Sequence, residues 1–166
     1  SSFTFTAIVM SINTTLALLT AIVLRQRFAG RGFFRLVFYL PSVLSVTVVS
    51  ILAIRVWDPQ NGLLNYLTTQ LLGLAPIAWW TPRSEMLILA LTTVWWTFGF
   101  PMLVFLAGLR NIPEQIYEAA RMDGAGAWQM LFRITLPLLT PSLLFVLATQ
   151  FMTHMQMFGQ AYALGG

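Results

Sequence analysis

Apolar positions run along this chain in four long blocks, and the polar positions collect between them. The blocks cover about residues 3–24, 36–54, 86–109 and 138–158. A helix needs about 20 mostly apolar residues to cross a bilayer, and each block is of that order. In hydrocarbon every backbone N–H and C=O must be bonded within its own segment, so the blocks predict helices. Membrane barrel strands would alternate apolar and polar with period two, and these blocks do not. The expected architecture is an all-α integral membrane protein, a polytopic helical bundle forming one domain over 1–166 with four spans.

Two longer connections separate the spans. Residues 55–85 are uncharged in the middle, but Asn61, Gly62, Asn65, Gly73 and Pro76 interrupt them. They read as an extracytoplasmic loop carrying a short interfacial helix over 63–72, rather than as a fifth crossing. Trp57, Tyr66, Trp79 and Trp80 suit the headgroup level. Arg55 with Asp58, and Arg83 with Glu85, read as pairs at that level.

Residues 110–137 differ in character. Asn111 and Glu114 have the spacing of a capping box, with Pro113 tolerated in the first turn. Ile116, Ala119 and Ala120 then fall on one small-sided helical face. Gly124 supplies the stop. Trp128, Leu131 and Phe132 open a second helix leading to Leu136 and Pro137.

Composition sets the solvent and charge sets the orientation. Hydrophobic residues make up 58% of the chain and charged ones 8%, with mean hydropathy +0.78, where soluble domains carry about 25% charged residues. All nine basic residues are arginines. Arg25, Arg27, Arg31, Arg35, Arg110, Arg121 and Arg133 fall in the first and third connections, which places those connections in the cytoplasm and 55–85 outside. Clustered between apolar runs, these arginines point to lipid headgroups and not to nucleic acid. The chain has no cysteine and one histidine, so neither a disulfide framework nor a metal site is expected. No G-x-x-x-x-G-K-[ST] loop is present, so any ATP hydrolysis belongs to another chain. No nucleophile–base spacing supports a catalytic residue.

The stretch EAARMDGAGAWQMLFRITLP, residues 118–137, sharpens the reading. Glu118-Ala119-Ala120 is followed by Gly124 after three residues, and by Ile134, Leu136 and Pro137 after nine more. This spacing resembles the EAA loop of the permease subunits of type I ABC importers, and with Pro141 it looks most like their carbohydrate branch. FYLPSV and the closing FGQAYALGG are similar to stretches of the same branch. The resemblance implies a MetI-like permease fold with residues 110–137 as a cytoplasmic coupling helix. It implies that Glu118 contacts the ATPase by charge, that Ala119 and Ala120 pack in its groove, and that Asp123, Gly124, Ile134, Leu136 and Pro137 complete the coupling set. It further implies an ATP-binding subunit dimer, a second permease subunit as heterodimer partner, and an extracytoplasmic substrate-binding protein. No cofactor is expected on this chain, since ATP and Mg are used by the partner ATPase. The implied location is the cytoplasmic membrane of a bacterium or archaeon. Members of the branch have six or more spans, so one helix is expected to be missing at each end.

Polar groups at membrane depth are costly and often functional. On that ground Asn13, Ser45, Trp95, Phe100, Gln150 and His154 are the candidate substrate-pathway residues. Gln150 and His154 share a helical face. Residues 95–101, WWTFGFP, predict a kink, because proline removes a backbone bond and glycine permits the bend. A bland role competes at each site: Ser and Thr in membrane helices bond the preceding turn, and aromatics fill bundle cores. Other readings are an importer of amino acids, peptides or phosphate, an ATP-independent secondary transporter, and a membrane enzyme using Asp58, Glu85 and His154.

Overall fold

The computed structural model describes residues 2–73, 75, 79, 81 and 84–164, with side chains from Thr6 to Thr153 within them except Leu72. All regular structure among them is helical. The first apolar block is one continuous rod, α1 (Ser2–Arg25). Two of its hydroxyls are satisfied locally: Ser11 Oγ donates to Ala7 O at 2.7 Å and Thr15 Oγ1 to Ser11 O at 2.7 Å, so they add little polarity to its outer face. From the next helix Arg35 donates to Leu24 O at 3.4 Å, serving a carbonyl left open where α1 ends.

The second block departs from a straight span. It is split into α2 (Arg31–Val43) and α3 (Val46–Trp57), which meet at 105°. Hydrogen-bond competition explains the break. Leu44 is extended and its N–H turns back to Pro41 O at 3.1 Å, while Ser45 caps α3 by accepting from Val48 N–H at 3.4 Å. Val48 N–H would otherwise serve Leu44 O, and that carbonyl instead takes the indole N–H of Trp96 at 3.0 Å. Three groups freed by the bend, the Leu44 N–H, the Leu44 carbonyl and the Val48 N–H, thus find partners.

The third block is α5 (Glu85–Thr97) and α6 (Gly99–Asn111), bent by 44° at Phe98. The kink falls inside the expected 95–101 stretch. Gly99 is needed for a further reason. A Cβ there would strike Phe38 O and come within 2.9 Å of Tyr39 Cα, so α2 crosses α6 backbone to backbone. Ser42 Oγ, in the same crossing, donates to Trp96 O at 3.0 Å. Gly108 admits the side chains of Ser142 and Leu139 from the fourth block. Small residues at crossings are how helices approach where the hydrophobic effect does not drive them together.

The core runs along α1 and α6. Ala17, Ala21 and Leu24 face Met102, Phe105, Leu106 and Leu109, all nearly or fully buried. Ile8, Leu40, Ile51 and Leu87 are more than half exposed, so the outer surface carries large apolar side chains as the interior does. Among the described residues α1 is the one helix long and apolar enough by itself to cross a bilayer, and up to four crossings result if each bent pair is one span.

Between α3 and α5 lies α4 (Leu63–Leu72), at the position expected for the short helix. It starts at Gly62 and stops at Gly73, whose φ of 62° lets its N–H reach back to Thr68 and Thr69 carbonyls. Asp58 does not ion-pair with Arg55 among the described residues. Its Oδ1 accepts Gln60 N–H at 2.8 Å and Asn61 N–H at 3.3 Å, and these bonds hold its carboxyl below the usual range. Local backbone donors, one turn away, outcompete a flexible arginine. Trp80 and Arg83, and with Arg83 the proposed Glu85 pair, lie outside the described residues.

Candidate functional site

Two places gather the residues singled out above: the elbow at 110–137 and a cavity between the bends. After α6 the chain passes through extended Ile112 and Pro113 into α7 (Glu114–Met122). The capping box does not form. Pro113 lies at the cap with no side-chain bond, and the only local closure is Ile116 N–H to Pro113 O at 3.2 Å. Glu114 instead sits as the anion of the first turn, favoured by the helix dipole. It is drawn off the backbone by two arginines, Arg25 at 3.0 Å and Arg121 at 3.6 Å.

The far end of α7 closes as the glycine requires. Gly124 has φ 79°, its N–H reaches Arg121 O at 3.0 Å, and Ala125 N–H reaches Ala120 O at 2.9 Å. This pair of bonds is the Schellman closure, which needs a left-handed residue at its turn. The chain then forms α8 (Ala127–Met130), a π-helical turn over Leu131–Thr135, and the short α9 (Leu136–Leu138) before α10 (Thr140–Leu164). The α8–α9 stretch meets α10 at 64°.

The elbow has two faces. Outward lie Ile116, Glu118, Ala119, Met122, Asp123 and Gly124, with Met122 88% exposed. Trp128 and Phe132 are also exposed, their rings stacked 6.0 Å apart. Ala120 is half-buried, Ile134 packs against the core, Leu136 is half-buried and Pro137 is exposed.

Inward lies Tyr117, 6% exposed. The Arg25 guanidinium stands 4.4 Å from its ring centroid while bonding Glu114. A cation over an aromatic face contributes about 0.5–2 kcal/mol, more as water is excluded. The Tyr117 hydroxyl lies 2.9 Å from Thr135 Oγ1, which also donates to Met130 O at 3.2 Å inside the π turn. Sequence reasoning missed Arg25, Tyr117 and Thr135 as site residues. The one signal was a tyrosine on the buried side of an otherwise polar helix.

The cavity measures about 230 Å³ and is walled by Ser42, Trp96, Thr97, Phe100 and Pro101 on one side and Thr149, Gln150 and Thr153 of α10 on the other. Of the six pathway candidates, Phe100 and Gln150 line it. Asn13 is fully buried one bond behind: its Nδ2 donates to Thr97 Oγ1 at 2.8 Å, and its Oδ1 accepts nothing from the described residues. Ser45 caps α3, and Trp95 lines a separate apolar groove with Leu52 and Trp57. The His154 side chain lies outside the described residues. Among the described residues no cluster of His, Cys, Asp or Glu has the geometry of a metal site.

Comparison with known proteins adds a context that geometry alone does not supply. Residues 13–166 match the family described as binding-protein-dependent transport system inner membrane component. The trehalose/maltose transport system permease protein MalF of Thermococcus litoralis is 35% identical over 170 residues, covering 99% of this chain and 55% of that one. The trehalose transport system permease protein SugA of Mycobacterium tuberculosis is 30% identical over 161 residues, covering 97% of this chain and 51% of that one. A bacterial ABC transporter involved in the import of the acidic polysaccharide alginate superposes with TM-score 0.79 at 26% identity, over 90% of this chain and 53% of that chain. The chain thus spans about half the length of the relatives it matches.

Proposed function

Since the chain belongs to the family of binding-protein-dependent transport system inner membrane components, we propose that it walls the pathway of an ATP-driven carbohydrate importer and is driven through residues 110–137. In this reading α1 and the three bent pairs are four crossings of a bacterial or archaeal cytoplasmic membrane. The α4 loop faces outward and the elbow faces the cytoplasm. The polypeptide hydrolyses nothing itself. An ATP-binding subunit dimer supplies the work, a second permease chain supplies the other wall, and an extracytoplasmic binding protein delivers the cargo. A saccharide is the favoured cargo because the named relatives serve trehalose, maltose and alginate.

The observation that carries the proposal is the outward face of α7. Ile116, Ala119 and Glu118 are exposed on a helix of nine residues that is pinned at both ends, by Glu114 and by the Gly124 turn. A pinned helix with small outward side chains lets a partner approach closely without bending away. The cavity between the α5–α6 kink and α10 then sits where alternating access would open and close it, since broken helices at membrane depth expose backbone that can line a pathway.

The test is site-directed crosslinking in membranes from cells expressing the full transport system. A cysteine at Ala119 is expected to crosslink to the ATP-binding subunit, and labelled disaccharide uptake is expected to require ATP. Labelling of that cysteine from the extracytoplasmic side would invert the topology and overturn the reading. Competition of uptake by peptides or amino acids, and not by saccharides, would remove the carbohydrate assignment.

A further inference from the structure

The inward side of the elbow holds an arrangement that the docking face does not need. Tyr117 touches two elements that diverge from it. Through its ring it meets Arg25 at the end of α1, and Arg25 is itself bonded to Glu114 at the start of α7. Through its hydroxyl it meets Thr135, in the π turn that leads into α10. The two elements then run to the same cavity. Twelve residues up α1 from Arg25, about 18 Å at the helical rise, Asn13 bonds Thr97 in the cavity wall. On α10, Gln150 forms the opposite wall.

On this basis, and resting on the transport reading above, we propose that Tyr117, Arg25 and Thr135 are positioning residues that pass displacement of α7 to both walls of the cavity. Three features argue for a joint and not for mere packing. The contacts are polar and directional, whereas elsewhere α1 and α6 meet through alanine, leucine and phenylalanine. A directional bond holds its two ends in register, while apolar surfaces slide. They link residues 89 and 18 positions apart in sequence, so no local turn requires them. The Thr135 end lies in a π turn, a form rare in helices and concentrated at functional sites. There the Thr135 hydroxyl bonds Met130 O within the turn and Tyr117 outside it, so the turn's geometry is tied to the position of α7.

The experiment uses the complete importer, with ATP-binding subunits and binding protein, reconstituted in proteoliposomes, and reads saccharide taken up per ATP hydrolysed. Tyr117→Phe deletes one end of the Tyr117–Thr135 hydrogen bond while keeping shape, and Thr135→Val deletes the other end together with the bond to Met130 O. Each is expected to lower that ratio about fivefold, the weight of one bond of ordinary strength. The double variant is expected to be no worse than Thr135→Val alone, since that substitution already removes the bond to Tyr117. Thr135→Ser, which keeps the hydroxyl, is expected to restore the wild-type ratio. Arg25→Gln is expected to lower the ratio and Arg25→Lys to recover part of it. An unchanged ratio in Tyr117→Phe and Thr135→Val, with only the melting temperature lowered, overturns the joint and leaves the transport reading standing. Strictly additive losses in the double variant overturn it as well. A wild-type preparation without any ATP-hydrolysing companion overturns the transport reading and the joint with it.

Discussion

The two long connections, 58–84 and 112–139, leave opposite ends of the α5–α6 pair, and they are held by different means. The described hydrogen bonds of the α4 loop close within the loop. Asp58 caps Gln60 and Asn61, Asn65 Nδ2 donates to Pro59 O at 2.7 Å, and the Trp79 indole reaches back to Asn65 at 2.8 Å. The longest of them spans 14 residues, and the loop's tie to the helices is the Trp79 ring, edge-on to Trp57 at the end of α3 with centroids 5.8 Å apart. The elbow is held to the rest of the molecule through Arg25 of α1, and is braced across itself by Tyr117 and Thr135. A self-held loop can shift as a unit without disturbing the helices beneath. A segment tied to distant helices cannot move without taking them along.

The sharpest way to break this contrast uses two glycines of matched geometry. Gly73 ends α4 at φ 62° and Gly124 follows α7 at φ 79°, and neither has an atom within 4 Å of where a Cβ would stand. Valine at either position meets the same left-handed strain, about 1–3 kcal/mol. If the elbow couples as proposed, Gly124→Val is expected to cut saccharide uptake by at least about tenfold at normal membrane level, because the strain distorts the end of α7. Gly73→Val is expected to leave uptake within about twofold, the strain being absorbed in the loop. Uptake and immunoblotting measure both, and equal losses would erase the distinction.

A smaller effect probes the outer loop from within. Asn65→Ala removes the bonds to Pro59 and Trp79 and is expected to cost about 1–3 kcal/mol of loop stability. Faster protease cleavage of 58–79 with little change in uptake is the outcome sought, and protection equal to wild type would count against a self-held loop.

The smallest effect is one of pH. Bonds from Gln60 and Asn61 hold the Asp58 carboxyl below its ordinary value near 3.8. A depressed folded pKa means the contribution is present above the unfolded value and is lost as pH falls through the folded one. Amide exchange at Gln60 and Asn61 is therefore expected to accelerate once pH drops below about 4, relative to its intrinsic rate. The same acceleration should be absent in Asp58→Asn, and exchange in α7 should show no matching change.

Legibility divides along the same line as the contrast. What depends on neighbouring residues was open to inspection in sequence: the Gly124 stop, the kink at 95–101, the 63–72 helix, and the outward spacing of Ile116 and Ala119. What depends on residues far apart was not. Ser45 reads as a polar group at membrane depth and turns out to cap α3, because the competing acceptor, Leu44 O, is taken by Trp96 from another helix. Asn111 has capping spacing but loses its place because Pro113 disfavours the helical region for the residue before it, and Ile112 is accordingly extended at ψ 118°. Tyr117 gave no periodic signal, since its partners stand 92 and 18 residues away. Of the pathway candidates, the two that face the cavity do so because helices bent elsewhere bring them together.

Trp96 gives and receives at the place where two broken helices cross, its indole serving Leu44 and its carbonyl serving Ser42. Straightening either rod strands a carbonyl or a hydroxyl unless the other rod yields too. A chamber framed this way has few intermediate shapes: its walls flex together, like two blades sharing one rivet.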